Sequence, residues 1–182
     1  HLTTNEGLAN NSIRYIYQDK KGFMWFGTLN GLNRYDGYSF LTIRPERGAK
    51  LSLADHRITD LQEDKKGFLW ISTSAELVSC FDLKQDCFVD FTGCGEYEQP
   101  YSNRFIDSKG NVWLWQDGNG CRKITYANDK FTSITFKKEN NNLFSNKVKY
   151  VFEDTKGRIW IGTQDGIALV KNDKCYKKSG KH

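Results

Sequence analysis

Four aspartates recur along the chain, and each is followed by a glycine three residues later and by a tryptophan six residues later. Carboxylates can act as the acid and base of a glycosidase, but that chemistry needs two of them to converge on one substrate bond. Acids that repeat at a fixed offset before a glycine instead indicate turns, because Asp accepts backbone hydrogen bonds and Gly adopts a positive φ. We therefore expect no catalytic residues. The aspartates are Asp19, Asp64, Asp107 and Asp154, and the glycines are Gly22, Gly67, Gly110 and Gly157.

The spacing of cysteines and histidines argues against a metal site. No two of the five cysteines form a Cys-x-x-Cys pair, and the histidines lie far from any cysteine-rich stretch, so we expect no metal ion and no cofactor. Cys80 and Cys87 flank a turn-like segment and could face each other across a hairpin, but small buried apolar side chains are the favoured interpretation. The cysteines are Cys80, Cys87, Cys94, Cys121 and Cys175, and the histidines are His1, His56 and His182.

The charge pattern argues against nucleic-acid binding. The formal net charge is +5, and the lysines are scattered through predicted turns, whereas nucleic-acid binding needs basic residues clustered on one face. No run of about 18 or more apolar residues occurs, so we expect no membrane insertion in this chain. The chain begins His-Leu-Thr-Thr without Met or an apolar stretch, so we expect a processed or trimmed start.

The tryptophans that follow the aspartates define an internal repeat. Successive tryptophans are separated by 45, 43 and 47 residues, within the range of roughly 40 to 50 residues that is typical of four-stranded propeller blades. The residues around them alternate as in β-strands and lack the i, i+3, i+4 spacing of helices. We therefore predict an all-β fold of four repeats with four antiparallel strands each, forming one β-propeller domain over residues 1–182. The predicted repeats are 11–54, 55–100, 101–144 and 145–182.

The first repeat illustrates the predicted blade. Ile13–Gln18 alternates and predicts a strand, a hairpin turn follows at 19–22, and Phe23–Thr28 predicts the second strand. Leu32–Asp36 and Tyr38–Ile43 predict the third and fourth strands. A large aromatic residue at one fixed position of every blade is typical of packing between blades rather than of ligand stacking. We therefore expect buried structural anchors at Trp25, Trp70, Trp113 and Trp160.

Repeats one and four share the pattern Asp-x-x-Gly-x-x-Trp-x-Gly-Thr, preceded by two aliphatic residues at six and three positions before the aspartate. This pattern resembles the two-component regulator propeller repeat. The segment Leu2–Ile13 is similar to the start of the mature sensor region of hybrid two-component histidine kinases. The resemblance implies a periplasmic sensor region without catalysis of its own, in a protein whose kinase lies elsewhere.

Propellers of that family have more than four blades, so the resemblance implies a partial or truncated propeller. An incomplete ring exposes blade faces at both of its ends. Two copies related by a two-fold axis could cover each other's ends. We therefore expect a homodimer with contacts at the first or the fourth blade.

The positions at which the repeat breaks are the candidates for ligand binding, because local rules fail most often at functional or strained sites. Arg104 replaces an aliphatic residue, Trp115 and Gln116 replace the Gly-Thr or Ser-Thr of the other repeats, and Glu76 replaces a turn glycine. One interpretation is that repeat three is simply degenerate. The alternative is a pocket in which Trp115 stacks on a sugar face and Arg104 holds an acid or hydroxyl group.

Three functions remain open from these residues. The first is a signal-input module that binds a glycan-derived or other small ligand. The second is a propeller scaffold for protein–protein interaction. The third is a propeller glycosidase or lyase, which the confinement of the acids to turns disfavours.

Overall fold

The computed structural model describes residues 1–49, 51–91, 101–141 and 143–177. These residues form four antiparallel sheets of four strands each, and strands consecutive in sequence lie side by side in every sheet. Helical structure among the described residues is limited to the 3₁₀ turn Thr4–Glu6 and the short helix α1 at Lys138–Asn141. The prediction of an all-β chain with four four-stranded sheets is confirmed.

Each sheet is one blade. Blade one contains β1 (Ile13–Gln18), β2 (Met24–Thr28), β3 (Gly31–Tyr35) and β4 (Phe40–Ile43). Blade two contains β5 (Ile58–Glu63), β6 (Phe68–Thr73), β7 (Val78–Asp82) and β8 (Cys87–Phe88). Blade three contains β9 (Asn103–Ile106), β10 (Val112–Gln116), β11 (Gly120–Ala127) and β12 (Lys130–Phe136). Blade four contains β13 (Val148–Glu153), β14 (Ile159–Thr163), β15 (Gly166–Lys171) and β16 (Lys174–Lys177).

An aspartate-centred turn joins the first two strands of every blade. In blade one, Oδ1 of Asp19 accepts hydrogen bonds from the backbone N–H groups of Lys21 and Phe23, at 2.9 and 3.0 Å. Its Oδ2 accepts a hydrogen bond from Nε1 of Trp25 at 2.8 Å. The carboxylate therefore closes the turn and orients the tryptophan together. The same indole bond joins Asp64 to Trp70 (3.0 Å), Asp107 to Trp113 (2.9 Å) and Asp154 to Trp160 (2.8 Å).

The chain divides into two compact units, His1–Asp90 with blades one and two and Phe91–His182 with blades three and four. Alternate residues of a strand point to opposite sides of its sheet. We call the side of a blade that bears its tryptophan the trailing face, and the opposite side the leading face. In blade one, Trp25 and Gly27 lie on the trailing face, and Ile16 lies opposite Phe26 on the leading face.

In the first unit, the trailing face of blade one packs against the leading face of blade two. Trp25 belongs to one hydrophobic cluster with Ile58 and Leu61, and its ring meets Phe81 edge to face with 5.7 Å between centroids. A β carbon at Gly27 would lie 2.6 Å from Cγ2 of Ile58. The isoleucine therefore fills the space that the glycine leaves open.

Two ion pairs border this interface. Nζ of Lys20 lies 2.8 Å from Oε1 of Glu63 in blade two. The Arg34 guanidinium pairs with Asp86 of blade two and lies 5.6 Å above the centroid of the Trp25 ring. Each pair joins one exposed side chain to one that is largely buried, since the Glu63 and Arg34 side chains are 2% and 19% exposed.

In the second unit, the trailing face of blade three packs in the same way against blade four. Trp113 shares a buried cluster with Val148 and Val151 of blade four. Both the backbone N–H and the hydroxyl of Ser108 donate to the Glu153 carboxylate at 2.6 Å. Lys123 pairs with Asp173 at 2.9 Å, and its Nζ lies 5.9 Å from the Trp113 ring centroid. These contacts occupy the repeat positions of Lys20–Glu63 and Arg34–Asp86, so the two units share one design of interface.

The four tryptophans differ in burial. Trp25, Trp70 and Trp113 are at most 1% exposed, whereas Trp160 is only half-buried. In both described blade pairs the tryptophan of the earlier blade is covered by the leading face of the later one. Among the described residues of the second unit, no blade packs on the trailing face of blade four, which explains the greater exposure of Trp160.

Candidate functional site

The residues predicted to contact a ligand are divided between the two units. Glu76 lies in the first unit, and the other three lie in the second. In blade three, Arg104 lies opposite Leu114 of β10, so it shares the leading face with Leu114 and Gln116. Trp115 points to the trailing face instead. The structure therefore does not bring Arg104, Trp115 and Gln116 together on one face.

Trp115 is an inter-blade packing residue. Its side chain is 5% exposed and lies in the cluster between blades three and four. Nε1 of Trp115 donates to the carbonyl oxygen of Lys149 in blade four at 3.3 Å. A ring buried in this way offers no face to a sugar, so the expected stacking role of Trp115 is corrected to packing. Trp115 occupies the repeat position of Gly27. In the first unit the space beside that glycine is filled by Ile58 of the later blade, whereas in the second unit it is filled by Trp115 of the earlier blade.

Gln116 holds the turn between β10 and β11. Its Oε1 accepts a hydrogen bond from Nδ2 of Asn119 at 2.7 Å. At the same repeat position in blades one and four, the hydroxyls of Thr28 and Thr163 donate across the turn to backbone carbonyls at 2.8 Å. Gln116 therefore stabilises the turn through a hydrogen bond between two side chains, whereas the two threonines bond to the backbone.

Glu76 adopts a left-handed backbone conformation in the turn between β6 and β7. Its φ is 59°, and the corresponding turns of blades one and four place Gly31 and Gly166 at φ of 120° and 150°. A residue with a β carbon pays about 1–2 kcal/mol for this conformation. The side chain is exposed, so packing does not demand a glutamate here. Strain that packing does not explain is a feature of functional positions, and Glu76 stays a candidate for ligand binding.

Arg104 is a half-buried cation at a position where the other blades are aliphatic. Leu114 of β10 pairs with Arg104 in β9 on one edge of the strand and with Arg122 in β11 on the other edge. The two arginines therefore flank Leu114 on the leading face of blade three. Strands lie about 4.8 Å apart, which separates the two arginine backbones by roughly 10 Å. We call Arg104, Leu114 and Arg122 the arginine row. The aliphatic residues at the Arg104 position in the other blades are Ile16, Leu61 and Val151.

Arg122 was not singled out from the sequence, because only the sheet register places it beside Arg104. Its Nε donates to Oγ of Ser133 at 3.1 Å. It also donates to the hydroxyl of the buried Tyr101, whose pKa is raised by burial. In blade one Asn33 holds the equivalent position and accepts a hydrogen bond from the backbone N–H of Ala9 at 3.0 Å. Part of the role of Arg122 is thus to anchor the segment before its blade.

A second polar cluster lies where blade two begins. Oγ of Ser74 donates to Oδ2 of Asp55 at 2.9 Å, and Nδ1 of His56 lies 3.0 Å from Oδ1 of the same carboxylate. Burial alone would raise the pKa of Asp55, but the Ser74 hydroxyl and nearby backbone N–H groups hold it below its usual value. Serine and histidine both contact the acid, so this arrangement lacks the serine–histidine contact of a nucleophilic relay. Ser74 lies 19 residues after Asp55, so the sequence carries no local signal of their contact.

The described cysteines Cys80, Cys87, Cys121 and Cys175 are free thiols. Cys87 lies opposite Asp82 in the β7–β8 pair, rather than opposite Cys80. Burial raises the pKa of the Cys80 and Cys121 thiols, and it raises that of Cys175 to about 11. These three thiols therefore stay protonated at neutral pH. Cys94 lies outside the described residues.

The trailing face of blade four is a broad apolar surface that the sequence reasoning missed. Alternation places Tyr150 and Phe152 of β13 on the same side as Trp160, and both are exposed, at 75% and 61%. Ile167 and Tyr176, on β15 and β16, extend this exposed surface. The repeat register carried the signal, because Tyr150 and Phe152 align with Tyr15 and Tyr17 of blade one.

The described residues hold neither a metal-binding cluster nor a membrane-spanning helix. Among those residues, no three His, Cys, Asp or Glu side chains are grouped so that they could hold a metal ion. No helix in the same ranges has the length and apolar character needed to cross a bilayer.

The family model described as "Two component regulator propeller" matches residues 7–30, 52–75 and 142–165. Three separate segments of the chain thus match this repeat. Each matched segment contains one complete Asp–Gly–Trp turn, from blades one, two and four. None of the three includes blade three, in which Trp115 and Gln116 replace the usual Gly-Thr.

The chain is also similar to a curated protein and to solved structures. The chain is 42% identical over 53 residues to Histidine kinase P4 of Formosa agariphila. The aligned segment covers 28% of this chain and 4% of that protein. An extracellular domain assigned to a hybrid two-component system of B. thetaiotaomicron is similar over 98% of this chain and 26% of its own, with a TM-score of 0.67 and 22% identity. This likeness establishes the β-propeller fold predicted from the repeat.

The same fold also occurs in an enzyme. Virginiamycin B lyase from Staphylococcus aureus is similar over 91% of this chain and 55% of its own, with a TM-score of 0.55 and 14% identity. The chain spans only a small part of the histidine kinase and about a quarter of the extracellular domain.

Proposed function

We propose that this chain is a ligand-sensing, signal-input module of a two-component signalling system and that it works in the periplasm. The observation that carries the proposal is the presence of three regulator propeller repeats, on blades with one shared turn and one shared interface design. The likeness to an extracellular domain assigned to a hybrid two-component system supports the same context.

The two arginines of the arginine row, which flank the buried Leu114, are the proposed ligand contacts. A guanidinium binds a carboxylate through two parallel hydrogen bonds and also donates to hydroxyl groups. Arg104 supplies this chemistry on a face where the other blades present aliphatic residues. The proposed ligand is therefore a small glycan-derived molecule that bears an acidic group. Glu76, in the other unit, is a separate candidate contact for hydroxyl groups.

Calorimetry with two probes of matched length, tetragalacturonate and cellotetraose, tests this site. We expect the acidic probe to bind, and Arg104→Ala to weaken binding by about tenfold or more, which corresponds to one charge-assisted contact. Arg104→Lys keeps the charge but loses the planar guanidinium, so its affinity for the acidic probe should lie between those of the wild type and Arg104→Ala. Arg47→Ala, in the exposed segment after blade one, is the matched control. Equal binding of both probes, or an unchanged affinity in Arg104→Ala, would refute the acidic-ligand proposal.

The absence of catalysis is part of the proposal, and the lyase with the same fold is the reason to test it. The chain is incubated with each oligosaccharide that binds, and the mixture is analysed by mass spectrometry over a day. Intact oligosaccharide supports a sensor, and product formation would favour a glycosidase or lyase.

The reading frame that encodes this chain, and the activity of any kinase it encodes, test the signalling role. A histidine-kinase domain in the same reading frame, with autophosphorylation that responds to the bound oligosaccharide, supports the signal-input role. A kinase whose activity ignores a ligand that binds the propeller would contradict it.

A further inference from the structure

The Arg122 guanidinium is held by two hydroxyl groups of its own unit. Its Nε donates to Oγ of Ser133 in the neighbouring strand β12 at 3.1 Å. The hydroxyl of Tyr101, a residue that is 8% exposed in the segment before β9, accepts a second hydrogen bond from the same guanidinium. A flexible side chain loses conformational entropy when a ligand fixes it, and bonds that hold it beforehand reduce this loss. Arg122 is therefore preorganised.

Ser133 differs in type from the residues that the other blades carry at its position. It lies in the fourth strand opposite Ile124, which follows Arg122 by two residues in the third strand. The other three blades carry apolar residues here, and none of these has a hydroxyl that could accept a bond from an arginine. The hydroxyl acceptor and the arginine that donates to it therefore occur together in blade three alone. The corresponding residues of the other blades are Phe40, Phe88 and Cys175.

Anchoring the segment that precedes a blade does not require a cation. Asn33 and Ser79 occupy the position of Arg122 in blades one and two. Oδ1 of Asn33 accepts a hydrogen bond from the backbone N–H of Ala9 at 3.0 Å, and Oγ of Ser79 accepts one from that of Ala54 at 2.8 Å. Neutral side chains thus anchor the segments before both blades, so anchoring does not explain the charge of Arg122.

We propose that Ser133 and Tyr101 are positioning residues that hold the Arg122 guanidinium in the orientation in which it binds the acidic group of the ligand. A guanidinium has five N–H donors, so the two bonds to the hydroxyls leave donors for a carboxylate. The inference rests on the proposed function, in which Arg122 is one of the two ligand contacts. It adds the residues that prepare this arginine for binding.

NMR of the ligand-free chain tests the positioning before any ligand is added. The Nε–H group of Arg122, assigned by comparison with Arg122→Lys, should exchange slowly with water because Ser133 accepts it. Ser133→Ala should accelerate this exchange by about tenfold, whereas Ser133→Thr keeps the hydroxyl and should leave it slow. Exchange that is equally fast in the wild type and in Ser133→Ala would overturn the proposal.

Thr132→Ala is the matched control for Ser133→Ala. It removes the hydroxyl of the preceding residue, whose side chain lies on the opposite side of β12 and donates to the Thr125 carbonyl at 3.4 Å. The exchange of the Arg122 Nε–H group should not change in this variant. Equal acceleration in both variants would trace the effect to a loosened strand and would overturn the positioning role.

Calorimetry with tetragalacturonate tests the consequence for binding. Ser133→Ala and Tyr101→Phe should each weaken binding by about three- to tenfold, as expected for the loss of one hydrogen bond. Ser133→Thr should bind as the wild type does. In an Arg122→Ala chain, Ser133→Ala should have no further effect, because the serine acts only through the arginine. An equal loss in both backgrounds would assign Ser133 a general structural role and overturn the proposal.

The same measurements separate a failure of this inference from a failure of the proposed function. Binding that Arg104→Ala weakens but that Ser133→Ala and Tyr101→Phe leave unchanged would overturn the positioning role alone. Absence of binding by the wild type would refute the acidic ligand, and the role of the two positioning residues with it.

Discussion

Between blades one and two, Gly27 lies against Ile58. Between blades three and four, Trp115 occupies the position of the glycine and Val148 occupies the position of the isoleucine. In the first case Ile58 of the later blade fills the space above Gly27. In the second case Trp115 of the earlier blade fills it and donates to the Lys149 carbonyl. The bordering polar contacts occur at the same repeat positions in both units.

This difference shows that the same interface position can be filled from either blade, by Ile58 of the later blade in the first unit and by Trp115 of the earlier blade in the second. Exchange of glycine for tryptophan adds far more volume than exchange of isoleucine for valine removes, so the two interfaces are packed differently around this position. The irregular third repeat still forms a buried interface, since Trp115 is 5% exposed. Trp115 departs from the repeat pattern for a reason of packing.

The largest expected effect compares the covered tryptophan with the exposed one. Trp25→Ala should lower the free energy of unfolding by about 3–5 kcal/mol, because it leaves a cavity between two blades. Trp160→Ala should cost clearly less, about 1–2 kcal/mol, because water already reaches its ring. Urea denaturation of the two variants measures the difference. Equal losses would mean that a further contact covers Trp160.

The two interface glycines give the second comparison. Gly27→Ala should cost about 1–3 kcal/mol, since the new methyl group must displace Ile58. Gly162→Ala should change stability by no more than about 0.5 kcal/mol, because its methyl group meets only ordinary contacts. Thermal and urea unfolding of the dilute, monomeric chains provide the measurement. A large loss in Gly162→Ala would show that the space above Gly162 is already filled.

The turns between the second and third strands of blades two and four place different residues at the positive-φ position, Glu76 and Gly166. Glu76→Gly should raise the free energy of unfolding by about 1 kcal/mol, because glycine adopts the positive φ without strain. Gly166→Ala should lower it, because the new β carbon would lie 2.9 Å from the Phe144 ring. Denaturant midpoints of both variants test the pair. If Glu76→Gly stabilises the chain and also weakens oligosaccharide binding, strain at Glu76 serves function.

The smallest expected effect concerns pH and the exposed turn of blade four. The Trp160 indole N–H, together with backbone and guanidinium donors of Arg158, lowers the pKa of the Asp154 carboxyl. A carboxyl whose pKa is lower in the folded state adds stability above its unfolded pKa of about 4, and this stability is lost as pH falls through the folded pKa. Asp154→Asn should therefore be less stable than the wild type at neutral pH, with a gap that narrows in acid. Denaturant midpoints between about pH 7 and pH 3 test this, and a gap that is independent of pH would assign the effect to hydrogen bonding alone.

The repeat, the turns and the strands were readable from the sequence because the contacts that create them are local. Asp19, Gly22 and Trp25 lie within seven residues, and their hydrogen bonds form inside a single hairpin. The period of the tryptophans then predicted the blade, and the aspartates could be assigned to turns without any knowledge of the neighbouring blades. Arg104 and Glu76 were found because they break this local pattern.

The pairing of blades and the direction of each side chain were decided only by tertiary structure. Trp115 bonds to a carbonyl 34 residues away, and Arg34 pairs with an aspartate 52 residues away. Arg122 and the exposed face of blade four likewise depend on which strand lies beside which. A single sequence records that Trp115 replaces a glycine, but the neighbouring blade determines whether that ring is buried, because the space it fills exists only between two assembled sheets.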